Sequence, residues 1–315
     1  MIPRPLGRSG LACAPLALGG NVFGWTADEA TSFRLLDEFV DAGFNLVDTA
    51  DVYSIWAEGN RGGESETILG NWLSRSGKRE RVLIATKVGH DMKEGGKGLS
   101  RAHILKSVDE SLRRLRTDTI DLYQSHMEDP SVTHEETLST YAELMKAGKV
   151  RAIGCSNFKP ETIRAALECS SRLGLPRYET LQPLYNLHDR AVFEDELQGL
   201  CLAEGIAVIP FFSLASGFLT GKYRTDADLS GSRRSMRAKG YMNERGMRIL
   251  AALDAVAERF HATPGQVAVA WLMTRPTIAA PIASGRTVEQ VRELVAAARL
   301  ALDAESLATL EKASE

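Results

Sequence analysis

The sequence predicts a (β/α)8 TIM barrel carried as a single domain over residues 1–315, with an N-terminal extension and extra C-terminal helices. Three observations lead there. Short runs rich in Val, Ile and Leu alternate with longer stretches of helical spacing, and the alternation repeats eight times. Strands joined by helical crossovers must lie parallel, and eight such units close into a barrel with the helices outside. The turn after the first run, GGNVFG (19–24), is a poor match to the G-x-G-x-x-G turn of an open doubly wound sheet, which is the competing fold.

PLALGG (15–20) is the first apolar run. Residues 28–42 follow as a helix with Phe33, Leu36 and Val40 on one face, stopped by Gly43. FNLVDTA (44–50) is the second strand, ESETILGNWL (64–73) its helix, and RVLIATKV (81–88) the third strand. The next helix, 100–116, opens at Ser100, a good N-cap, and spaces Ile104, Val108, Leu112 and Leu115 along one face. TIDLYQSH (119–126) is the fourth strand, followed by helix 133–147. KVRAIGCSN (149–157) is the fifth, with a helix near 160–172. YETLQPLYN (178–186) is the sixth, with one helix over 192–204, and IAVIPFF (206–212) is the seventh. An irregular segment, 213–243, precedes helices 244–260 and 264–274, the second opened by Thr263-Pro264. TIAAPIA (277–283) is the eighth strand, and helices 287–299 and 303–313 close the chain.

Charged residues make up 25% of the chain and the net charge is −3, so no basic excess points to nucleic acid. The cluster RRSMRAK (233–239) reads as solvated loop. Cys13, Cys155, Cys169 and Cys201 form no CxxC pair and no metal-like grouping with histidine, so they read as small buried hydrophobes in a reducing compartment. No run of 18 apolar residues and no signal-peptide pattern occurs. The expectation is a soluble, cytoplasmic protein without membrane or nucleic-acid partners. No apolar helix face stands out for association, so a monomer or weak homo-oligomer is expected.

Barrels of this type place their chemistry at the C-terminal strand ends. Asp48 ends the second strand, with Tyr53 five residues on; Lys87 ends the third and His126 the fourth. Ser156-Asn157 end the fifth, Gln182 lies on the sixth, and Ser284 to Arg286 follow the eighth. A free phenol is a poor proton shuttle at neutral pH, and a nearby ammonium favours its ionised form. Asp48 would hold Lys87 charged, Tyr53 would give a proton to a carbonyl oxygen, and His126 would donate from the other side. Such a group supplies a proton but no electrons, so a hydride donor has to come from a cofactor.

These residues give the chain its resemblance to the aldo-keto reductases. DTADVY (48–53), VLIATK (82–87) and LYQSH (122–126) stand in the family's order, and GCSN, LQPLYN, GFLTGKY and PIASGRTVEQV complete its landmarks. The resemblance covers essentially the whole chain. It implies NAD(P)H-dependent reduction of aldehydes or ketones, reversibly, without metal, with Tyr53 as general acid tuned by Lys87 and Asp48, and His126 orienting the carbonyl. It implies cofactor contacts from Gly20, Asn21, Ser156, Asn157, Gln182, Gly217, Lys222, Ser284 and Gln290. Phe211 matches the aromatic that stacks on the nicotinamide ring, and Arg286 is the candidate for the adenosine 2′-phosphate, which favours NADPH (NADP+) over NADH.

Two departures from the family pattern stand out. VIPFFSL replaces the frequent V-I-P-Y-S-P-L, which changes the contacts at Phe212 and Ser213, and Ala283 replaces a proline, which should leave the following loop less fixed. Phe23, Trp25, Trp56 and Met127 are expected to wall the substrate pocket, and the glycine-rich loop 54–63 to move over it. The chain ends soon after its last helix, so an open site of broad specificity is expected. Two other readings compete. A cofactor-binding regulatory subunit would share the fold, as the potassium-channel β subunits resemble this family. A metal-dependent barrel enzyme would need a carboxylate–histidine cluster that the strand ends do not supply. Oxidation of an alcohol or sugar is the alternative physiological direction.

Overall fold

The computed structural model describes residues 2–229 and 233–315. The N-terminal extension is an antiparallel hairpin of β1 (Arg4–Pro5) and β2 (Ala12–Cys13). Then come β3 (Ala17–Gly19), α1 (Glu29–Asp41), β4 (Leu46–Asp48), α2 (Glu64–Ser76), β5 (Leu83–Val88), α3 (Arg101–Leu115) and β6 (Ile120–Ser125). They are followed by α4 (His134–Lys146), β7 (Val150–Ser156), α5 (Pro160–Leu173), β8 (Thr180–Gln182), α6 (Ala191–Glu194), α7 (Leu197–Glu204) and β9 (Ala207–Val208). After these lie α8 (Arg233–Lys239), α9 (Glu244–Phe260), α10 (Pro264–Thr274), β10 (Ile282–Ala283), α11 (Val288–Ala297) and α12 (Ala304–Ser314).

Eight parallel strands run in the order β10-β3-β4-β5-β6-β7-β8-β9, so each strand from β3 to β9 lies beside its sequence neighbour. The open ends of that row meet. Val208 bridges Ile278 in parallel, Val208 N donates to Thr277 O at 2.9 Å, and Ala279 N donates to Val208 O at 2.8 Å. Ile282 N then reaches Pro210 O at 2.9 Å, which closes the (β/α)8 barrel. The ladder is short on this side because Pro210 and Pro281 have no N–H to give.

Strand alternation sorts the side chains. Leu46, Ala85, Leu122 and Ala152 fill the barrel interior, whose floor is Leu6, Leu11 and Cys13 of the hairpin. Val47, Ile84, Tyr123 and Ile153 face outward into the layer packed by the helices. The predicted caps form: Ser100 accepts from His103 N, and Thr263 exchanges bonds with Gln266; Asp28, not singled out in the sequence, also caps α1 by accepting from Thr31 N. Gly43 takes a left-handed φ of 93° past α1.

Two expectations need correction. Residues 192–204 form two helices, α6 and α7, because Glu194 is anchored by Tyr185 and Arg190 and ends the first turn there. RRSMRAK is helix α8, with Ser235 and Ala238 fully buried one turn apart against residues 215–220. Two small side chains give no apolar periodicity, so the sequence pattern hides this helix.

Candidate active site

Asp48 lies on the same face of β4 as Leu46, and Lys87 on the same face of β5 as Ala85, so alternation turns both side chains into the barrel mouth. Both are buried to within 1% of fully. Lys87 Nζ donates to Asp48 Oδ1 at 2.7 Å and Oδ2 at 2.8 Å, to Thr49 O at 2.8 Å, and to Tyr53 Oη at 2.8 Å. Tyr53 Oη donates to Asp48 Oδ2 at 3.0 Å, and Gln182 Nε2 donates to Asp48 Oδ1 at 2.9 Å. An ammonium this deep would be expensive alone; the carboxylate neutralises it and a carbonyl satisfies its remaining hydrogen.

Burial, reinforced by Asp48, holds the Tyr53 phenol well above its ordinary pKa. The sequence led us to expect Lys87 to pull it down. In the resting site the carboxylate bonded to the same oxygen outweighs the ammonium, whose own pKa burial lowers while Asp48 opposes. Tyr53 is therefore a protonated acid at neutral pH, and Lys87 stands ready beside the phenolate that proton transfer would leave.

His126 follows β6. Its N–H bonds Val88 O at 2.8 Å and its carbonyl accepts from Asn157 Nδ2 at 2.9 Å. Burial, then Lys87 and His90, push its imidazole well below its ordinary pKa, so the ring is neutral. Its ring centroid lies 6.1 Å from that of Tyr53.

These groups open on a cavity of about 590 Å³. Trp25, Trp56 and Met127 line it as expected, with the two indoles edge to face at 5.8 Å. Loop 54–63 bonds to the turn after β3: Asn60 Nδ2 bonds Gly24 O and Ser54 O, both at 2.9 Å, and Ser54 Oγ bonds Phe23 O at 2.6 Å. Phe23 itself is fully buried in the core and does not reach the cavity. Gly20 is also outside the lining. A Cβ there would sit 2.9 Å from Ser65 Oγ and 3.0 Å from Asp48 O, so this glycine lets the turn pack on the strand end.

The remaining expected contacts converge on the same cavity. Ser156 Oγ bonds Gln182 O at 2.8 Å, and Asn157 Nδ2 lies 3.1 Å from Ser156 Oγ. Ser284 Oγ bonds Gly19 O at 2.8 Å and Asn21 Oδ1 at 2.7 Å, so the loop beyond Ala283 is fixed by the serine where a proline is missing. Phe211 presents a ring beside Phe212 at 5.2 Å. Phe212 takes a left-handed φ of 55°, and Ser213 Oγ turns away to Ile282 O at 2.7 Å. Gly217 (φ 91°) leaves room for Lys222, whose Nζ would be 3.1 Å from a Cβ there. Arg286 is exposed, and its N–H is bonded by Gln290 Oε1 at 2.8 Å. His90 and Arg237 are among the lining residues that were not expected. His90 lies three positions after Lys87, so the same strand-end reasoning could have found it. Arg237 comes from α8 and stands 5.8 Å from the Phe212 ring centroid; no pattern in RRSMRAK marks it.

The family model for the Aldo/keto reductase family matches residues 15–315. The chain belongs to that family. It is 32% identical over 329 residues to Protein tas of Escherichia coli (strain K12), covering 96% of this chain and 95% of that one. It is 36% identical over 269 residues to Aldo-keto reductase YhdN of Bacillus subtilis (strain 168), covering 82% and 76%. It is 31% identical over 342 residues to Aryl-alcohol dehydrogenase [NADP(+)] of Phanerodontia chrysosporium, covering 97% and 85%. An aldo/keto reductase is a carbonyl-reducing oxidoreductase that uses NAD(P)H, and the residues present fit such a dinucleotide. A ring face (Phe211), amide groups (Asn157, Gln182) and cations (Lys222, Arg286) line one cavity with Tyr53. Among the described residues, no helix is long and apolar enough to cross a membrane.

Proposed function

We propose that this aldo/keto reductase reduces aldehydes and ketones with NADPH, reversibly, and that Tyr53 is its general acid. The observation that supports this most is the bonded set Asp48–Lys87–Tyr53, with a neutral His126 beside it, at the mouth of the cavity. Bound NADPH supplies a hydride to the carbonyl carbon. As charge develops on the carbonyl oxygen, Tyr53 Oη gives it a proton. The phenolate left behind keeps the Lys87 ammonium at 2.8 Å. Asp48, held by Gln182 as well, keeps that ammonium in place. A neutral His126 N–H donates to the same carbonyl oxygen and sets its angle.

Arg286 and Lys222 supply the positive charge for the cofactor's phosphates, Arg286 for the 2′-phosphate that separates NADPH from NADH. The similarity to a relative named for NADP(+) supports the same preference. Trp25 and Trp56 suit a bulky, partly apolar carbonyl or a sugar face. The test is purified protein with NADPH and a panel of aromatic aldehydes, diketones and sugar carbonyls, followed at the reduced-nicotinamide band with NADH in parallel. Carbonyl-dependent oxidation, faster with NADPH, is expected. Tight NADPH binding with no turnover in either direction would replace this reading with a regulatory cofactor-binding subunit.

A further inference from the structure

His126 can help a carbonyl oxygen only if its cavity-side nitrogen carries the proton. A neutral imidazole has one N–H to place, and the bond made by its other nitrogen decides where it goes. The main chain fixes the position of this ring through Val88 O and Asn157 Nδ2. Among the described residues no group bonds its Nδ1, although that atom is enclosed. Left so, the ring has nothing to select a tautomer.

A second imidazole shows the same feature. His90 leaves the end of β5 and lines the cavity. Its ring centroid is 5.2 Å from that of His126, with the planes tilted by 57°. Its Nδ1 is also enclosed and bonded by no group among the described residues. Buried polar atoms are almost always hydrogen-bonded, to ordered water where protein does not reach. A single water with two hydrogen bonds of about 2.8 Å each spans a gap on this scale.

We infer that His90 is a positioning residue: with one bridging water it fixes His126 as the Nε2–H tautomer. Hydrogens count equally well in either direction, and the direction inferred is the one that leaves His126 able to donate to the carbonyl oxygen. His90 Nδ1–H donates to the water, and the water donates to His126 Nδ1. His126 Nδ1 is then an acceptor, and its one proton lies on Nε2, available to the carbonyl oxygen. No atom of His90 needs to touch the substrate. The inference rests on His126 acting as proposed above, but its primary readout does not depend on turnover.

The test is nitrogen-15 NMR of protein labelled at histidine, with His126 assigned by comparison with His126→Gln. The intact protein should show His126 as one tautomer, with a pyrrole-type Nε2 and a pyridine-type Nδ1. His90→Phe keeps a ring but no polar atom. It should give a mixture of tautomers and a kcat lowered about tenfold with KM changed less than threefold. His90→Gln, which keeps a donor, should restore the single tautomer and most of kcat. A purely packing role predicts the reverse, with Phe better tolerated than Gln. His126 found with its proton on Nδ1 in the intact protein overturns the inference before any variant is made, as does an unchanged Nε2–H tautomer in folded His90→Phe. If Tyr53→Phe retains turnover while the His126 spectra behave as expected, the general-acid reading fails and the role of His90 stands.

Discussion

Removing one oxygen from Tyr53 and one from Tyr123 makes the same chemical change at two positions with opposite expected outcomes. In Tyr53→Phe the general acid is lost. General acid catalysis is worth about 10²- to 10⁴-fold, so kcat should fall by that factor, about 3 to 5 kcal/mol in barrel-mouth transition-state stabilisation. The fold should barely notice. Lys87 has three N–H donors, and Asp48 Oδ1, Asp48 Oδ2 and Thr49 O remain to accept them. Asp48 keeps Lys87 and Gln182, so no buried charge is stranded. The bonds from Tyr53 Oη to Asp48 Oδ2 and from Lys87 Nζ to Tyr53 Oη are lost, but Lys87 keeps an acceptor for each hydrogen, so the net cost is about 1 kcal/mol. Tyr123 faces the helix layer, edge to face with Tyr141 at 6.0 Å, and its hydroxyl is buried with no partner among the described residues. Tyr123→Phe removes an unsatisfied group and should leave kcat unchanged while raising stability by about 1 kcal/mol. Steady-state reduction of an aromatic aldehyde, NADPH titration by fluorescence and urea unfolding measure all three quantities. Turnover retained within threefold in Tyr53→Phe, with NADPH affinity unchanged, would refute the reasoning.

Three further outcomes are expected. Lys87→Met leaves the Asp48 carboxylate buried without its cation and should cost about 3 to 5 kcal/mol in urea unfolding, whereas adding Asp48→Asn should recover most of that stability and none of the activity; additive losses would contradict the pairing. Asp51, buried just beyond the end of β4, is held up to about 8 by burial and then by Glu66. Its folded pKa lies above its unfolded one, so its contribution is complete below about pH 4 and is lost as pH rises from there through about 8, by roughly 5 kcal/mol at most. Asp51→Asn should flatten that fall, and parallel stability–pH curves for the two proteins would exclude it. Arg286→Ala should weaken NADPH binding about tenfold or more and leave NADH binding unchanged, since one charge-assisted phosphate contact is worth about 1.5 to 3 kcal/mol; equal effects on both cofactors would remove Arg286 from the 2′-phosphate.

Much of this was legible because the information is local. The eight βα units follow from apolar runs and caps such as Ser100 and Thr263, each a short-range signal. Asp48, Lys87 and His126 could be placed together because strand ends in a closed barrel face one mouth. What escaped depended on packing at a distance. Phe23 and Gly20 follow the first strand as Trp25 does, yet only the fold decides which of them turns inward. Helix α8 is held by Ser235 and Ala238, residues with too little apolar surface to announce a helix. The direction of the Tyr53 pKa depended on whether carboxylate or ammonium dominates at the phenol oxygen, which spacing along the chain cannot say.

The two faces of β5 divide the work of this protein. Leu83, Ala85 and Lys87 alternate with Ile84, Thr86 and Val88. The outward set is fastened: Thr86 Oγ1 donates to Glu66 Oε1 at 2.5 Å, and Glu66 Oε2 accepts from Arg114 Nε at 2.7 Å, which joins the strand to α2 and α3. Lys87, one residue further along the same backbone, is thereby held from behind while its ammonium makes four contacts in front. A lysine on a free loop would lose much of its side-chain entropy to hold that geometry. Here the strand and its helices have already been ordered by the core, so the geometry of the Asp48–Lys87–Tyr53 set is fixed by packing beneath it. That arrangement also explains why the barrel mouth can hold an ion pair whose burial contributes little to stability: the outer layer carries the fold, and the inner face is left free for chemistry.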